Sequence, residues 1–588
     1  MFEPPAAKAA ASLTESTKES PADLITTGEK TDWNETAPYG EAVEISKRLE
    51  RASRFVKVID VGKTAEGRTM IGLVVSKDRA FTPEAARRTN KAIILIQSGI
   101  HAGEIEGKDT ALMLVRDMTV TKKHAAWLDK AIFVIIPVFN VDGHEDFSPY
   151  HRPSQNGPKS TGLRATAQRV NLNRDYIKAD TPEMRAWLKL FNSWMPDFHI
   201  DNHVTDGADF QYDVTWDMAR NQDLAEPAGA WVRERFVPEL DRRMEADGHM
   251  VAPYGALRQV GGRREFFMEV FSPRYSHLYC AVQNRPSLLV ESHSLKAAKT
   301  RAWAHYDIMR HAIDIITANP EALRNAVREA DRLMMARAGD RSAPPVYLAG
   351  KVSEKSRPLV YHSLKNGPFK SEVTGAMVNR FTAEKDDIDT VIHDQIETTA
   401  EAQMPLGYLI PAAWKPLADV LMLHGVDVEW LSKPVEQEFE TYRFSNVKFE
   451  PTPFEGRVMS NFDVKRAAEK IAMPAGSFWV PLKQQRARLI LAMLEPMGPD
   501  SLARWGFLNS VFEGGGRGGL GEYLSEPIAR RMMADSPELR KQFEAKLASD
   551  AQFAANPRAR LQWWFDQSAY RASDAGRYPV VRVWQKTW

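Results

Sequence analysis

Runs of apolar residues alternate with helix-like or loop-like segments over the first three-fifths of the chain. The stretches KAIILIQSG, AIFVIIPVF and PSLLVES are rich in apolar residues, as is typical of strands buried on both faces of a sheet. The stretch PDFHIDNHV, in which apolar and polar residues alternate, is predicted as a further buried strand. A helix is predicted at 39–52 and another at 107–118, while VKVIDVG and TMIGLVVS predict two further strands. The pattern predicts an α/β domain over 31–338 whose mostly parallel mixed sheet is covered by helices.

Residues 339–588 have a different pattern of apolar and polar positions, which predicts a C-terminal accessory region. A linker with Ser342, Pro344 and Pro345 opens it, and GYLIPAAWKPLADVLML and SFWVPLKQQRARLILAML each predict a strand, a proline and a helix. A diverged internal repeat and chance recurrence both explain this likeness. The region is therefore expected to hold α/β units followed by mainly helical segments, in an α+β fold that the pattern leaves open.

Two segments are predicted to carry little regular structure. Residues 1–30 are rich in Ala, Ser, Thr, Lys and Glu without periodic apolar positions, which indicates a disordered tail. The run EGGGRGGLGEY from Glu513 lacks the Gly-Lys-Ser/Thr ending of a phosphate-binding loop, so a mobile loop is expected there.

Composition excludes several classes of function. The 588 residues exceed what one core usually organises, so two or more domains are expected. The formal net charge of +1 argues against nucleic-acid partners. Cys280 is the only cysteine, which excludes an internal disulfide and a thiolate metal cluster.

Compartment and oligomeric state stay open at this point. No apolar run approaches the roughly eighteen residues of a membrane span, and the first residues lack the apolar core of a secretory signal. The expectation is cytoplasmic if the chain is complete as given, and periplasmic or secreted if a signal was removed.

Candidate metal ligands follow two of the predicted strands. His101 and Glu104 stand three apart in SGIHAGEIEG, where a turn lets both side chains converge, and zinc accepts an imidazole with a carboxylate. For a third ligand, His199 and His203 lie on the same face of PDFHIDNHV by alternation. Because ligands gather beyond the carboxyl ends of strands in open α/β sheets, His203 is favoured over His199.

Two other segments offer polar side chains suited to catalysis. Glu291 ends the apolar strand PSLLVES, and a carboxylate there is costly unless it has a partner or a task. Asn173 and Arg174 in RVNLNRDY are suited to bind a carboxylate through an amide and a guanidinium fork, although a surface helix start would be the favoured explanation of that fragment without the other motifs.

Taken in order, HAGE, FNVDG, NLNRD, DNHVTDG and LLVES resemble the M14 metallocarboxypeptidases, the carboxypeptidase A-like zinc peptidases, over residues 39–338. The resemblance implies one zinc ion per chain, held by His101, Glu104 and His203. It also implies Glu291 as general base and Asn173 with Arg174 as the grip on the substrate's terminal carboxylate.

The resemblance further implies an arginine that polarises the scissile carbonyl and a tyrosine that closes over the substrate. Arg152 in YHRPSQNGP is chosen for the first role, with Arg164 as the alternative, and either Tyr275 or Tyr279 for the second. Asn171 departs from the family, which often has Asp there. An amide can still bond a ligand imidazole but offers no negative charge.

The function implied is hydrolysis of amide bonds, with release of C-terminal residues from peptides by zinc-activated water and a glutamate base. N-acyl amino acids or cell-wall peptides are alternative substrates. A zinc-containing peptide-binding protein that does not catalyse is the alternative outside the enzymes. The presence of all three ligands and of Glu291 disfavours it.

Overall fold

The computed structural model describes residues 20–205, 207–219, 221–512 and 521–588. Residues 1–19 of the predicted tail and residues 513–520 of the glycine run lie outside them. The chain divides into two compact units: residues up to 407 with 418–428 and 481–501, and residues 408–417 with 429–480 and 502–588.

The described residues form twenty-two strands and eighteen α-helices. The strands are β1 (Val56–Lys63), β2 (Thr69–Val75), β3 (Ala92–Ser98), β4 (Ala131–Ile136), β5 (Phe147–Ser148), β6 (Thr161–Gly162), β7 (Phe198–Thr205), β8 (Val214–Met218), β9 (Val251–Pro253), β10 (Gly255–Val260), β11 (Arg263–Met268), β12 (Ser287–His293), β13 (Val346–Val352), β14 (Arg357–Lys370), β15 (Met377–His393), β16 (Ile396–Ala402), β17 (Gly407–Ile410), β18 (Glu429–Trp430), β19 (Val435–Phe449), β20 (Ser460–Met473), β21 (Phe478–Pro481) and β22 (Val581–Val583). The α-helices are α1 (Thr27–Lys30), α2 (Tyr39–Ala52), α3 (Pro83–Arg88), α4 (Glu106–Thr119), α5 (Val141–Glu145), α6 (Pro182–Trp194), α7 (Ala228–Trp231), α8 (Val237–Ala246), α9 (Ser276–Ala281), α10 (Ala298–Ala318), α11 (Pro320–Ala336), α12 (Lys415–Leu423), α13 (Ala487–Leu494), α14 (Asn509–Phe512), α15 (Glu522–Asp535), α16 (Pro537–Ser549), α17 (Ala551–Ala554) and α18 (Pro557–Asp566).

An eight-stranded sheet in the order β1-β2-β4-β3-β7-β12-β8-β9 organises the first unit. The central strands β4, β3, β7 and β12 run parallel to one another. On one side of them β2 pairs antiparallel with both β1 and β4, and on the other side β8 pairs antiparallel with β12. Strands β3, β4 and β7 are buried along their whole length, and helices such as α4, α10 and α11 pack over the sheet. The predicted α/β class with a mostly parallel mixed sheet is confirmed.

The first unit extends beyond residue 338, where the sequence pattern placed a domain boundary. Strands β14 and β15 join β10 and β11 in a four-stranded sheet, and Tyr361 and Ile392 share a buried cluster with Tyr212, Phe266 and Met268. Phe266 pairs with Ile392, 126 positions further along the chain, so local periodicity could not reveal this pairing.

Residues 20–30, predicted as part of the tail, are folded onto the first unit. Leu24 is buried, and the Glu41 carboxylate in α2 accepts hydrogen bonds from the backbone N–H of Thr27 at 3.1 Å and from its hydroxyl at 2.7 Å. A segment with few apolar residues is held here by polar contacts, which a composition argument does not detect.

The second unit contains a six-stranded sheet in the order β18-β21-β17-β22-β19-β20. Helices α15 to α18 follow, and Trp564 packs with Ala529, Phe543 and Phe553 in a cluster of their own. Within the described ranges, no helix is both long and apolar enough to cross a membrane.

Candidate metal centre and active site

The predicted metal ligands meet at the carboxyl ends of neighbouring parallel strands. His101 and Glu104 lie in the turn between β3 and α4, and His203 lies near the end of β7. Glu291 on β12 is the direct cross-strand partner of His203. The turn after β3 begins at Gly99, whose φ of +64° suits a residue without a Cβ.

Three buried side chains point their ligand atoms at one another. Nδ1 of His203 lies 3.2 Å from Nδ1 of His101 and 3.0 Å from Oε2 of Glu104, and Nδ1 of His101 lies 3.0 Å from Oε1 of Glu104. Within the described part of the chain, this trio is the group of ligand residues whose spacing fits a metal ion. Two imidazoles and one carboxylate form a zinc donor set that leaves a coordination position open.

The outer nitrogens of both imidazoles face oxygen acceptors. Nε2 of His101 lies 3.0 Å from Oδ1 of Asn171, and Nε2 of His203 lies 2.8 Å from Oδ2 of Asp201. An acceptor at Nε2 holds the proton there, so each Nδ1 can present its lone pair to a cation. The amide of Gln97 donates to Asp201 at 2.9 Å and fixes that carboxylate in turn.

The charges of the cluster favour a cation at its centre. Burial lowers the pKa of His101 to about 4, so its imidazole is neutral at neutral pH. Burial opposes ionisation of Glu104, but His101 and Arg152 hold the pKa of that carboxyl well below its usual range. Burial would also lower the pKa of His203, but the carboxylates of Asp201 and Glu104 raise it well above its usual value. A Zn²⁺ ion would displace the proton that these carboxylates favour on His203, and two imidazoles with one carboxylate fit that ion.

Both candidate arginines reach the cluster. Nη1 of Arg152 and Nη1 of Arg164 each lie 3.2 Å from Oε1 of Glu104, and the Arg152 side chain is 7% exposed whereas that of Arg164 is 41% exposed. Gly103 of the HAGE motif lets Arg152 approach, because a Cβ at that position would lie 2.5 Å from the Cγ of Arg152. The buried guanidinium is the better positioned for a developing negative charge.

The FNVDG motif supports the loop that carries Arg164. The Asn140 side chain accepts from the backbone N–H of Gly143 at 3.0 Å and donates to the carbonyl of Arg164 at 3.1 Å. The Asp142 carboxylate accepts from the Thr64 hydroxyl at 2.8 Å. The motif thus stabilises the loop that carries Arg164.

The carboxyl of Glu291 binds a proton more tightly than an ordinary carboxyl does, and a cation held by the ligand trio would favour its ionised, proton-accepting form. Burial raises the pKa of Glu291 to about 8, with the Glu104 carboxylate adding to the rise and His203 opposing it. The backbone of Glu291 is fixed by β12, whose carbonyl at this residue accepts from the Thr215 hydroxyl at 3.2 Å.

Asn173, Arg174 and Tyr275 gather on the side of His203 nearer to Asp201. Nδ2 of Asn173 lies 3.5 Å from Nε2 of His203, and its Oδ1 accepts from the backbone N–H of Ser276 at 3.1 Å. The Arg174 guanidinium lies over the Tyr275 ring, 4.1 Å from its centroid. A guanidinium, an amide and a phenol in one place can together bind a carboxylate.

Tyr279 and His199 are placed in the core. The Tyr279 ring has no exposed surface, and its hydroxyl lies 2.7 Å from Nδ1 of His424. The structure thus places Tyr279 in the core and Tyr275 beside Arg174. His199 lies 2.8 Å from the Ser287 hydroxyl and outside the ligand trio.

Asp201 and Gln97 are site residues that the sequence reasoning did not assign a role. Asp201 lies two residues before His203 on β7, so alternation alone places both on one face. The matching position of Gln97 on β3, the direct partner of Asp201, becomes visible only once the strand register is known.

Residues 43–216 match the zinc carboxypeptidase family. Carboxypeptidase 2 of Trichophyton rubrum is 24% identical over 481 residues, which cover 79% of this chain and 82% of that protein. An inactive metallocarboxypeptidase of Saccharomyces cerevisiae is 28% identical over 179 residues, covering 26% of this chain and 40% of that protein. A metallo-carboxypeptidase structure from Pseudomonas aeruginosa has a TM-score of 0.37 and 16% identity over 49% of this chain and 70% of its own. The predicted M14 resemblance is confirmed.

Proposed function

We propose that this chain, whose residues 43–216 match the zinc carboxypeptidase family, is a zinc-dependent peptidase that removes single residues from peptide C termini. One observation carries the proposal. The ligand trio His101, Glu104 and His203 has Glu291 as the direct strand neighbour of His203 and lies beside Asn173. The proposed metal-binding, proton-accepting and carboxylate-binding groups thus lie together near the carboxyl ends of the parallel strands.

His101, Glu104 and His203 would hold the zinc ion. When bound, zinc supplies Lewis acidity that activates water and polarises a carbonyl. Glu291 accepts the proton of the attacking water and passes it to the departing amine. Arg152, whose guanidinium is buried at Glu104, donates hydrogen bonds to the carbonyl oxygen as negative charge develops on it.

Substrate orientation is assigned to the group around Arg174. Its guanidinium and the Asn173 amide bind the terminal carboxylate of a peptide, and Tyr275 covers it from the face on which it already contacts Arg174. A terminal carboxylate held at this position sets which peptide bond reaches Glu291, so the enzyme acts from the end of the chain.

Two alternatives compete with peptide C-terminal hydrolysis. A deacylase or amidase acting on N-acyl amino acids or cell-wall peptides would use the same carboxylate grip, because those substrates also carry a free carboxylate. A zinc-containing peptide-binding protein without activity is the other alternative, and the chain does share 28% identity over 179 residues with a protein described as inactive.

The test is incubation of the zinc-loaded protein with a mixed peptide library, the same library with amidated C termini, and a panel of N-acyl amino acids, read by mass spectrometry. Loss of single C-terminal residues from the free-acid library alone is expected, and it should stop after removal of zinc by a chelator. Cleavage of the acyl amino acids alone would replace the proposal with the deacylase, and intact substrates throughout would replace it with the binding protein.

A further inference from the structure

A cavity of about 390 Å³ opens in the first unit beside the candidate active site. Thr205 and Thr215 form part of its lining. Thr205 is two residues beyond His203 on β7, and Thr215 is the cross-strand partner of Glu291. Because alternate residues on a strand and direct cross-strand partners share one face of a sheet, both threonines lie on the face of His203 and Glu291.

Aromatic side chains supply much of the cavity wall. Phe210 follows β7, Tyr254 and Phe266 come from the segment 254–268, and Phe381 comes from β15. A volume of about 390 Å³ between such rings accommodates an aromatic side chain. Phe381 belongs to the 357–393 hairpin, so this hairpin contributes to the wall of the cavity.

The ionisable residues along the cavity have partners of their own. Arg264 binds Asp386 at 3.0 Å, and Glu269 binds Arg258 at 3.0 Å. Nε2 of His293 lies 2.7 Å from the carboxylate of Asp209, a third lining residue. Because these charges are already paired, the cavity is better suited to a neutral occupant than to a charged one.

The hydroxyl of Thr205, which lines the cavity, makes no hydrogen bond to the described residues. The Oγ1 atom of Thr205 is buried. Since a buried hydroxyl without a partner costs free energy, a backbone amide or carbonyl of a bound peptide can satisfy it.

The cavity and the proposed carboxylate-binding residue Asn173 lie in opposite directions from His203 along β7. Asn173 lies near the Nε2 atom of His203, which faces Asp201, two residues earlier on the strand. Thr205 lies two residues later, about 6–7 Å further along the strand at about 3.3 Å per residue. That span corresponds to about two residues of an extended peptide.

We infer that the cavity receives an aromatic or large apolar side chain of the substrate, one or two residues on the amino-terminal side of the scissile bond. This inference rests on the proposed function. It makes the enzyme selective for the residue before the bond as well as for the free C terminus, with Phe381 as a specificity-determining residue.

The test uses peptides that share the C-terminal residue released most readily and that carry Phe or Ala at the first or second position before it. The zinc-loaded wild type should show at least a tenfold higher kcat/KM for one of the Phe peptides than for its Ala counterpart. F381A should reduce this ratio at least fivefold. F369A is the matched control on the same hairpin, because Phe369 is exposed and does not line the cavity, and it should keep the wild-type ratio.

A wild-type ratio near one, or a ratio unchanged in F381A, would overturn the inference while leaving the proposed function intact. If the wild type cleaves none of these peptides, the proposed function fails, and binding decides the inference separately. Labelled Phe and Ala peptides are then titrated with the zinc-loaded wild type and F381A by fluorescence anisotropy. Tighter binding of the Phe peptide by the wild type alone supports the cavity as a peptide subsite, and equal affinities reject it.

Discussion

Glu291 and His203 are direct partners in the parallel strand pair β12–β7, so the candidate base and a candidate metal ligand point to the same face of the sheet. The pairing is set by backbone hydrogen bonds and not by the side chains themselves. Each side chain can therefore be altered with the other held in place, which makes the division of roles between them open to experiment.

Substitution of Glu291 by glutamine should abolish hydrolysis while preserving the fold and bound zinc. The amide is nearly the same size but cannot accept a proton from water, and loss of general base catalysis typically costs about 10²–10⁴-fold in rate. We would measure kcat on the best library peptide and zinc content by atomic absorption. The control E84Q removes an exposed carboxylate on α3 and should leave kcat unchanged. An E291Q protein with wild-type kcat would remove Glu291 from the mechanism.

Substitution of Asn171 by alanine should weaken zinc binding by about 10–100-fold, because the acceptor that orients the His101 ring is lost. N171D should restore or increase affinity, since a carboxylate accepts the same hydrogen bond and adds negative charge. Competition with a chromophoric chelator gives the zinc dissociation constants. N34A, at an exposed asparagine, serves as the control. Equal affinity in N171A and the wild type would show that the ring is held by other contacts.

Substitution of Arg174 by alanine should lower kcat/KM for free-acid peptides by about 10–100-fold, as expected for loss of a charged hydrogen bond of about 1.5–3 kcal/mol. The rate on peptides with amidated C termini, low from the outset, should change little. R54A, an exposed arginine that contacts Phe55, is the matched control. A proportional loss on both kinds of peptide would argue that Arg174 maintains structure and does not bind the carboxylate.

Site residues could be predicted where the pattern of a single short segment indicates them, and could not where their position depends on contacts with distant parts of the chain. His101 and Glu104 follow the apolar strand β3, His203 lies near the end of the alternating strand β7, and the structure brings the three together. Tyr275 and Tyr279 lie four residues apart, and the difference between them depends on His424, which lies far along the chain and binds Tyr279. No periodicity in the sequence reports that contact.

The fold shows the same limit. The strands β3, β4 and β12 were recognisable because burial on both faces leaves a continuous apolar signature, whereas β7 alternates apolar and polar residues although it is buried along its whole length. The hairpin 357–393 alternates polar and apolar residues and joins β11 by a few pairs only. Its place in the first unit, and with it the cavity wall at Phe381, is determined by packing against residues near Phe266.

His249 provides a prediction about stability that does not involve the metal centre. Its Nδ1 lies 3.7 Å from Asp213 and its Nε2 lies 3.1 Å from Asp307. The carboxylates of Asp213 and then Asp307 raise the pKa of His249 to about 9. Because the pKa is higher in the folded protein than the unfolded value of about 6.5, the imidazolium stabilises the fold fully below about pH 6.5. That contribution is lost as the pH rises to about 9.

H249Q should therefore lower the free energy of unfolding by roughly 1–3 kcal/mol more at pH 6 than at pH 9.5, given about 1.4 kcal/mol for each pKa unit. Urea denaturation of the wild type and the variant at both pH values measures this difference, and other titrating groups cancel between the two proteins. D307N should reduce the pH dependence because it removes one of the two carboxylates. A deficit in H249Q that is the same at both pH values would show that His249 acts through packing and not through its charge.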